Sequence, residues 1–349
     1  MLKNCLLGAV LVLSLCCKKA TGPAVGTEPE PSVVTSVLSE NFVKGADISW
    51  LTEMGKANIK FYNSAGAEKD LIQILKEKGM NTIRLRVWVN PADGYNNTAD
   101  VLAKSLRAKA LGMRILIDFH YSDFWADPGK QNKPAAWVGQ NITQLKQSVY
   151  DHTAGVLTVL KLNGVTPEWV QVGNETNDGM LWEEGRASKN MKNFAELIQS
   201  GYSAVKAVNS TTKVMVHISN GYDNALFRWI FDGLKANGAN WDVIGMSLYP
   251  TSTNWSILNI QCLANMNDMV SRYGKEVMIC EVGMDVSATN ACKAFLSDII
   301  LKTNSVAGKK GLGVLYWEPQ AYNSWKGYNL GAFDISGKPT AAMDVFLMK

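Results

Sequence analysis

The sequence is poor in the residues that build metal and redox centres. It holds three histidines in 349 residues. None stands in a His-x-x-His or His-Glu-x-x-His spacing, and no Cys-x-x-Cys pair occurs, so a transition-metal centre has no ligand framework. No Gly-x-Ser-x-Gly elbow is present, which argues against a serine esterase. Neither a Gly-x-Gly-x-x-Gly turn nor a P-loop occurs, which removes the usual nucleotide cradles. The formal charge is +4, but the Lys and Arg are scattered, and nucleic acid finds no basic footprint. The apolar run near the N-terminus, Leu6 to Leu15, is too short to cross a bilayer.

That run follows Lys3 and ends at Cys16-Cys17-Lys18-Lys19. It reads as a targeting segment and resembles a bacterial lipoprotein signal, in which a Cys becomes the acylated N-terminus. Cys17 is the favoured anchor, Cys16 the other candidate, and a plain secretory signal the alternative. Residues 18–39 are rich in Pro, Gly, Thr, Ser and Glu without apolar periodicity and read as a flexible tether. The expected organisation is therefore a signal over 1–17, a tether over 18–39 and one catalytic domain over 40–349. The expected location is the outer membrane or cell surface, otherwise the periplasm or medium, with membrane contact only through an N-terminal lipid. Cys262, Cys280 and Cys292 remain after the signal. An odd count leaves at least one thiol unpaired; Cys262–Cys292 is a candidate disulfide and Cys280 a core residue.

What the chain has in quantity is apolar and aromatic surface: 47% hydrophobic residues, eleven Trp and eleven Tyr. Barrel cores favour branched aliphatics, so this many amphipathic rings suggests a cleft for a flat, partly polar ligand. Short apolar strands alternate with amphipathic helices. Strands are predicted at 42–48, 82–88, 114–119, 169–173, 213–217, 243–248, 276–280 and 313–317. Helices are predicted at 69–78, 99–111, 143–162, 194–208, 225–236, 257–273, 288–303 and 340–347, the first two stopped by Gly79 and Gly112. Eight such units predict an α/β fold, a single (β/α)8 TIM barrel. An open doubly wound sheet is the runner-up.

Chemistry in such a barrel collects at the C-terminal strand ends. The residues there include Asp47 and Trp50, Arg84, Arg86 and Trp88, Asp118, His120, Asp123 and Trp125, Asn174 and Glu175, His217, Tyr249, Glu281, Trp317 and Glu318. Glu175 follows the fourth strand and Glu281 ends the seventh. Either alone could be a helix cap. Together they form the carboxyl pair that acetal cleavage requires, one to protonate the leaving oxygen and one to support the oxocarbenium-like carbon. A separation of about 5 Å would imply retention and about 6.5–9.5 Å inversion. Arg84 and Arg86 share a strand face and need carboxylate partners, Glu281 among the candidates. The tryptophans could stack on sugar rings or simply pack.

Longer motifs carry a resemblance. The segments 45–50 (Gly-Ala-Asp-Ile-Ser-Trp), 82–91, 118–128 (Asp-Phe-His-Tyr-Ser-Asp-Phe-Trp-Ala-Asp-Pro), 172–175, 247–250 and 315–319 occur in order. From about Lys44 to the C-terminus the chain resembles glycoside hydrolase family 53, the arabinogalactan endo-β-1,4-galactanases. The resemblance implies a retaining endo-hydrolase acting on β-1,4-galactan or its oligosaccharides, with no required cofactor. It implies Glu175 as general acid/base and Glu281 as nucleophile. Asn174 would hold the sugar 2-hydroxyl, Arg84 would lie under the nucleophile, and His120, Tyr249 and Trp317 would line the cleaving subsite. Asp47, Trp88, Asp123, Trp125 and Trp182 are further candidate sugar contacts. Asp285, Asn290 and Asp334 are candidate donors to a structural calcium ion, which some bacterial members bind. The chain departs from the family at Thr176, where many members have Ile, and in the short loop 282–286. A monomer is expected. Two other readings compete: a mannanase or cellulase type of the same clan, and a glycan-binding surface lipoprotein without catalysis.

Overall fold

The computed structural model describes residues 37–349; the expected signal, with Cys16 and Cys17, and the expected tether up to residue 36 lie outside the described residues. Eight strands, β1 (Val43–Asp47), β2 (Thr82–Val87), β3 (Arg114–Phe119), β4 (Trp169–Val172), β5 (Lys213–Ile218), β6 (Val243–Leu248), β7 (Glu276–Val282) and β8 (Gly311–Trp317), pair in parallel and in sequence order. The barrel closes where β1 meets β8, Val43 opposite Gly313 and Asp47 opposite Trp317. Closure depends on Gly313. Its φ is +156°, and a Cβ there would stand 2.1 Å from the Val43 carbonyl oxygen, closer than any side-chain carbon can sit.

The helices are α1 (Leu51–Lys56), α2 (Leu71–Glu77), α3 (Thr98–Ala110), α4 (Ile142–Leu162), α5 (Met191–Val208), α6 (Asn224–Ala236), α7 (Trp255–Tyr273) and α8 (Thr289–Asn304). The starts of α2 to α6 are marked by short polar side chains that accept from otherwise orphaned N–H groups: Asp70, Asn97, Asn141, Asn190 and Asp223. Gly79 and Gly112 lie just past α2 and α3 in the left-handed conformation expected of them. The last expected helix differs: Ala341–Leu347 is a 3₁₀ segment. The six-residue α1 went unseen because it is too short for a helical period to register. None of the described helices is long and apolar enough to cross a membrane.

The candidate Cys262–Cys292 disulfide is not formed. Cys262, Cys280 and Cys292 are all free and buried. Cys262 lies on α7 against the Gly221 backbone, whereas Cys292 lies on α8 near the Tyr316 hydroxyl. Each behaves as a small apolar side chain.

Inside the barrel the chain changes character on climbing the strands. A lower layer is apolar: Val43, Leu116, Trp169, Met215, Val243, Met278 and Leu315 pack together. Two residues further along β3, β4 and β5, on the same inward face, stand Asp118, Gln171 and His217. The apolar layer seals the base, and the polar layer is the floor of whatever site lies above.

Candidate active site

The polar floor is organised by Arg84. Its guanidinium is buried and contacts Asp47 at 2.8 Å, Asp118 at 2.9 Å and Glu281 at 2.9 Å. Its Nε and Nη2 donate to Gln171 Oε1, and Nη2 also to Asn174 Oδ1 at 3.0 Å. A buried cation surrounded in this way stays charged. Burial alone would weaken its hold on the proton, but the three carboxylates raise its pKa well above the ordinary value. Arg86, two residues on, pairs instead with Glu318 at 2.7 Å, while the Trp125 ring covers its guanidinium at 4.1 Å. Glu318 also accepts from the Trp50 backbone N–H, so this second pair fixes the entry to α1.

Above the floor lies a cavity of about 470 Å³. Glu175 and Glu281 both line it, with Asn174, His120, Tyr249, Trp125 and Trp317. Each Glu arrives by a local distortion. After β4, Gly173 has φ +83° and Glu175 φ +45°, a left-handed turn that lifts Glu175 over the strand end. A Cβ on Gly173 would meet Thr176 Cγ2 at 2.6 Å. On β7 strict alternation would send Glu281 outward, because Met278 and Cys280 already face the interior. A register shift removes the conflict: Met246 pairs with Ile279 but Ser247 pairs with Glu281. This β-bulge re-aims Glu281 into the cavity.

The two carboxyls sit in different company. Glu281 touches Arg84 and accepts from the Tyr249 hydroxyl at 2.8 Å. Among the described residues Glu175 has no cation in contact, and its carboxyl accepts one hydrogen bond, from Ser247 Oγ at 2.7 Å. Burial pushes both upward, Glu175 to about 7 and Glu281 to about 8, with Arg84 pulling each down and the two repelling one another. Glu281 lies higher, raised by burial first and also by the Glu175 charge. The pair behaves as one unit at neutral pH, however, and the contacts decide which member carries the shared proton. A guanidinium and a phenol both favour the ionised form of Glu281, so the proton belongs on Glu175. Tyr249 is held as a donor, since burial and Glu281 push its phenol well above the ordinary value.

Four expected sugar contacts fall outside the cavity lining. Asp47 is buried beneath it as a partner of Arg84 and Ser49. Trp88 packs edge-on against Trp125 and His120. Asp123 binds the backbone N–H groups of Asn90 and Ala135 and so ties two loops together. Trp182 donates to the Asp178 carbonyl, and the Arg186 guanidinium covers its ring at 3.7 Å. Arg84 also lies outside the lining, beneath the cavity and against Glu281. Asp285 and Asp334 each use Oδ1 to close their own turns, on Ser287 and Ser336, and Asn290 lies in the first turn of α8.

The cavity also contains residues the strand-end reading passed over. Asp127, Lys326, Gly327, Tyr328 and Leu330 line it. Most belong to the irregular segment after β8, where no periodicity marks a residue as inward. Gln171 and Ser247 were readable: each is a polar residue at an inward position of an otherwise apolar strand.

The profile of glycosyl hydrolase family 53 matches residues 43–294 and 287–346. An arabinogalactan endo-β-1,4-galactanase from Thermothelomyces thermophilus is 32% identical over 331 residues, covering 87% of this chain and 98% of its own length. A counterpart from Humicola insolens is 33% identical over the same coverage. Among solved structures, a fungal β-1,4-galactanase superposes with a TM-score of 0.82 at 30% identity, covering 90% of this chain and all of that one. The family 53 catalytic domain from Ignisphaera aggregans gives 0.81 at 29%, covering 90% and 98%.

Proposed function

Because the chain belongs to glycosyl hydrolase family 53, we propose that it is an arabinogalactan endo-β-1,4-galactanase that works by double displacement on Glu175 and Glu281. The observation that supports this most strongly is the unlike pair of carboxyls on one cavity, one beside a guanidinium and one without. Glu281, held ionised by Arg84 and Tyr249, attacks the anomeric carbon. Glu175 gives its proton to the departing glycosidic oxygen, so no alkoxide leaves. In the second half Glu175 takes a proton from water, which displaces Glu281 and restores the β configuration. Asn174 is positioned for the 2-hydroxyl: Arg84 and Ala126 fix its amide, leaving one Nδ2 hydrogen for the sugar. Trp50, Trp125 and Trp317 offer flat surfaces around it.

Digestion of linear β-1,4-galactan with sizing of the products tests the assignment. Internal cutting to short oligosaccharides is expected. Preference for mannan or cellulose in the same panel would instead favour another member of the clan.

The family's chemistry requires no cofactor. A structural calcium ion on Asp285, Asn290 and Asp334 is a separate proposal, and a drop in melting temperature with EDTA checks it. A monomeric state is a further proposal, which light scattering tests. Export as a lipoprotein anchored at Cys17 rests on the order of Lys3, the apolar run and the cysteines. Loss of labelled palmitate in Cys17→Ser but not Cys16→Ser is the expected result.

A further inference from the structure

Behind Glu175 runs a chain of buried polar groups to which the mechanism above gives no role. Ser247 Oγ is 2.7 Å from Glu175 Oε1 and 2.7 Å from His217 Nε2. His217 Nδ1 is 3.0 Å from Gln171 Nε2, 3.0 Å from Asn174 Oδ1 and 3.4 Å from the Glu175 backbone N–H. Both ring nitrogens are therefore occupied, and the polarity of the chain can be worked out from its fixed ends.

Arg84 can only donate, so Gln171 turns Oε1 toward it and Nε2 toward Asp118 and His217. The Glu175 backbone N–H can only donate as well. Gln171 Nε2 and the Glu175 N–H thus both face His217 Nδ1, while Asn174 Oδ1 already accepts from Arg84 Nη2 and Gln171 Nε2 and has both lone pairs taken. The imidazole is fully buried, and burial together with Arg84 holds its pKa well below the ordinary value, so the ring is neutral and has one N–H to place. With Nδ1 accepting, that hydrogen is on Nε2 and points at Ser247 Oγ. The serine hydroxyl is left one direction in which to donate, toward Glu175 Oε1. Among the described residues no protein group bonds Glu175 Oε2.

We propose that Ser247 and His217 are positioning residues that keep Glu175 Oε1 an acceptor, so that the acidic hydrogen is carried on Oε2. The inference rests on the reading of Glu175 as the acid. It adds that the proton is assigned to one oxygen before substrate arrives, and that the Ser247 hydroxyl favours the ionised form that must be regenerated in each cycle. The other groups facing Glu175 are Arg84 on β2, Asp118 on β3, Asp127 in the loop after β3 and Glu281 on β7. None of these contributes a hydrogen bond to Oε1.

Ser247→Ala tests it, with Ser247→Thr as the variant that restores the hydroxyl. Loss of a donor to the ionised form raises the pKa of Glu175, so the alkaline limb of kcat/KM should move up by about one pH unit. The rate on galactan, whose leaving group needs protonation, should fall about tenfold or more. The rate on a dinitrophenyl galactobioside, whose leaving group does not, should change little, and threonine should restore the galactan rate and the alkaline limb. Equal losses on the two substrates, or an unmoved alkaline limb, would overturn the proposal. Independently, ¹⁵N-edited NMR of the wild-type imidazoles should find His217 protonated at Nε2; protonation at Nδ1 would overturn it. Glu175→Ala run in parallel separates the two levels. If it keeps its galactan activity, the acid assignment fails; if it loses activity while Ser247→Ala behaves as wild type, only the positioning role fails.

Discussion

At the scale of single residues, environment divides the labour between two chemically identical side chains. Glu281 needs Arg84 beneath it, and Arg84 in turn is shared with Asp47 and Asp118. Arg84→Met should therefore fail twice. It removes the cation that holds Glu281 ionised, and it leaves buried carboxylates uncompensated at a cost of about 3–5 kcal/mol; urea denaturation and galactan hydrolysis measure the two losses. Protonation sets the sign of the pH dependence. The acid acts only while it holds its proton, so with Glu175 near 7 kcat/KM should decline as the pH rises through that region. A profile still rising at pH 8 would contradict the assignment of Glu175 as acid.

At the scale of elements, the site is made by departures from regular structure. Gly173→Ala should leave the barrel folded, because the clash is with the Thr176 side chain, yet cost about tenfold or more in kcat by displacing Asn174 and Glu175 together. Gly313→Ala should do the opposite damage. Its Cβ would meet backbone of β1, so the barrel seam opens and stability falls by about 3 kcal/mol or more, visible as a lower denaturation midpoint. These two glycines also mark what was and was not legible in the sequence. The eight strands and their order could be read because parallel strands under helices are continuous apolar runs. Strand-end residues such as Asn174 and Tyr249 were legible for the same reason. The inward aim of Glu281 was not derivable from alternation, which puts Cys280 inside; it depends on a bulge that no local pattern announces. Tyr328 and Lys326 were hidden because the segment after β8 has no period. The disulfide reading failed because helix assignment and spacing cannot tell which way each thiol faces: Cys262 lies against Gly221 and Cys292 near the Tyr316 hydroxyl.

At the scale of the whole molecule, the site is built at the expense of stability. The native protein retains a proton on the Glu175–Glu281 pair at pH values where the unfolded chain has lost it. The native state then binds more protons than the unfolded state, and the stability this contributes is present below about pH 4.5 and lost as the pH rises through about 7 to 8. Glu175→Gln should flatten this slope and raise the melting temperature at pH 8 by about 3 °C, with little change at pH 4.5; calorimetry across that range checks it. The same substitution should abolish hydrolysis of galactan, a trade expected where a carboxyl is kept for chemistry. The account stands most directly on the identity of the nucleophile. A 2-deoxy-2-fluoro galactobioside with a good leaving group should trap the covalent intermediate, and peptide mapping should place the added mass on Glu281. A label on Glu175, or an enzyme that turns over galactan but never acquires a label, would contradict it.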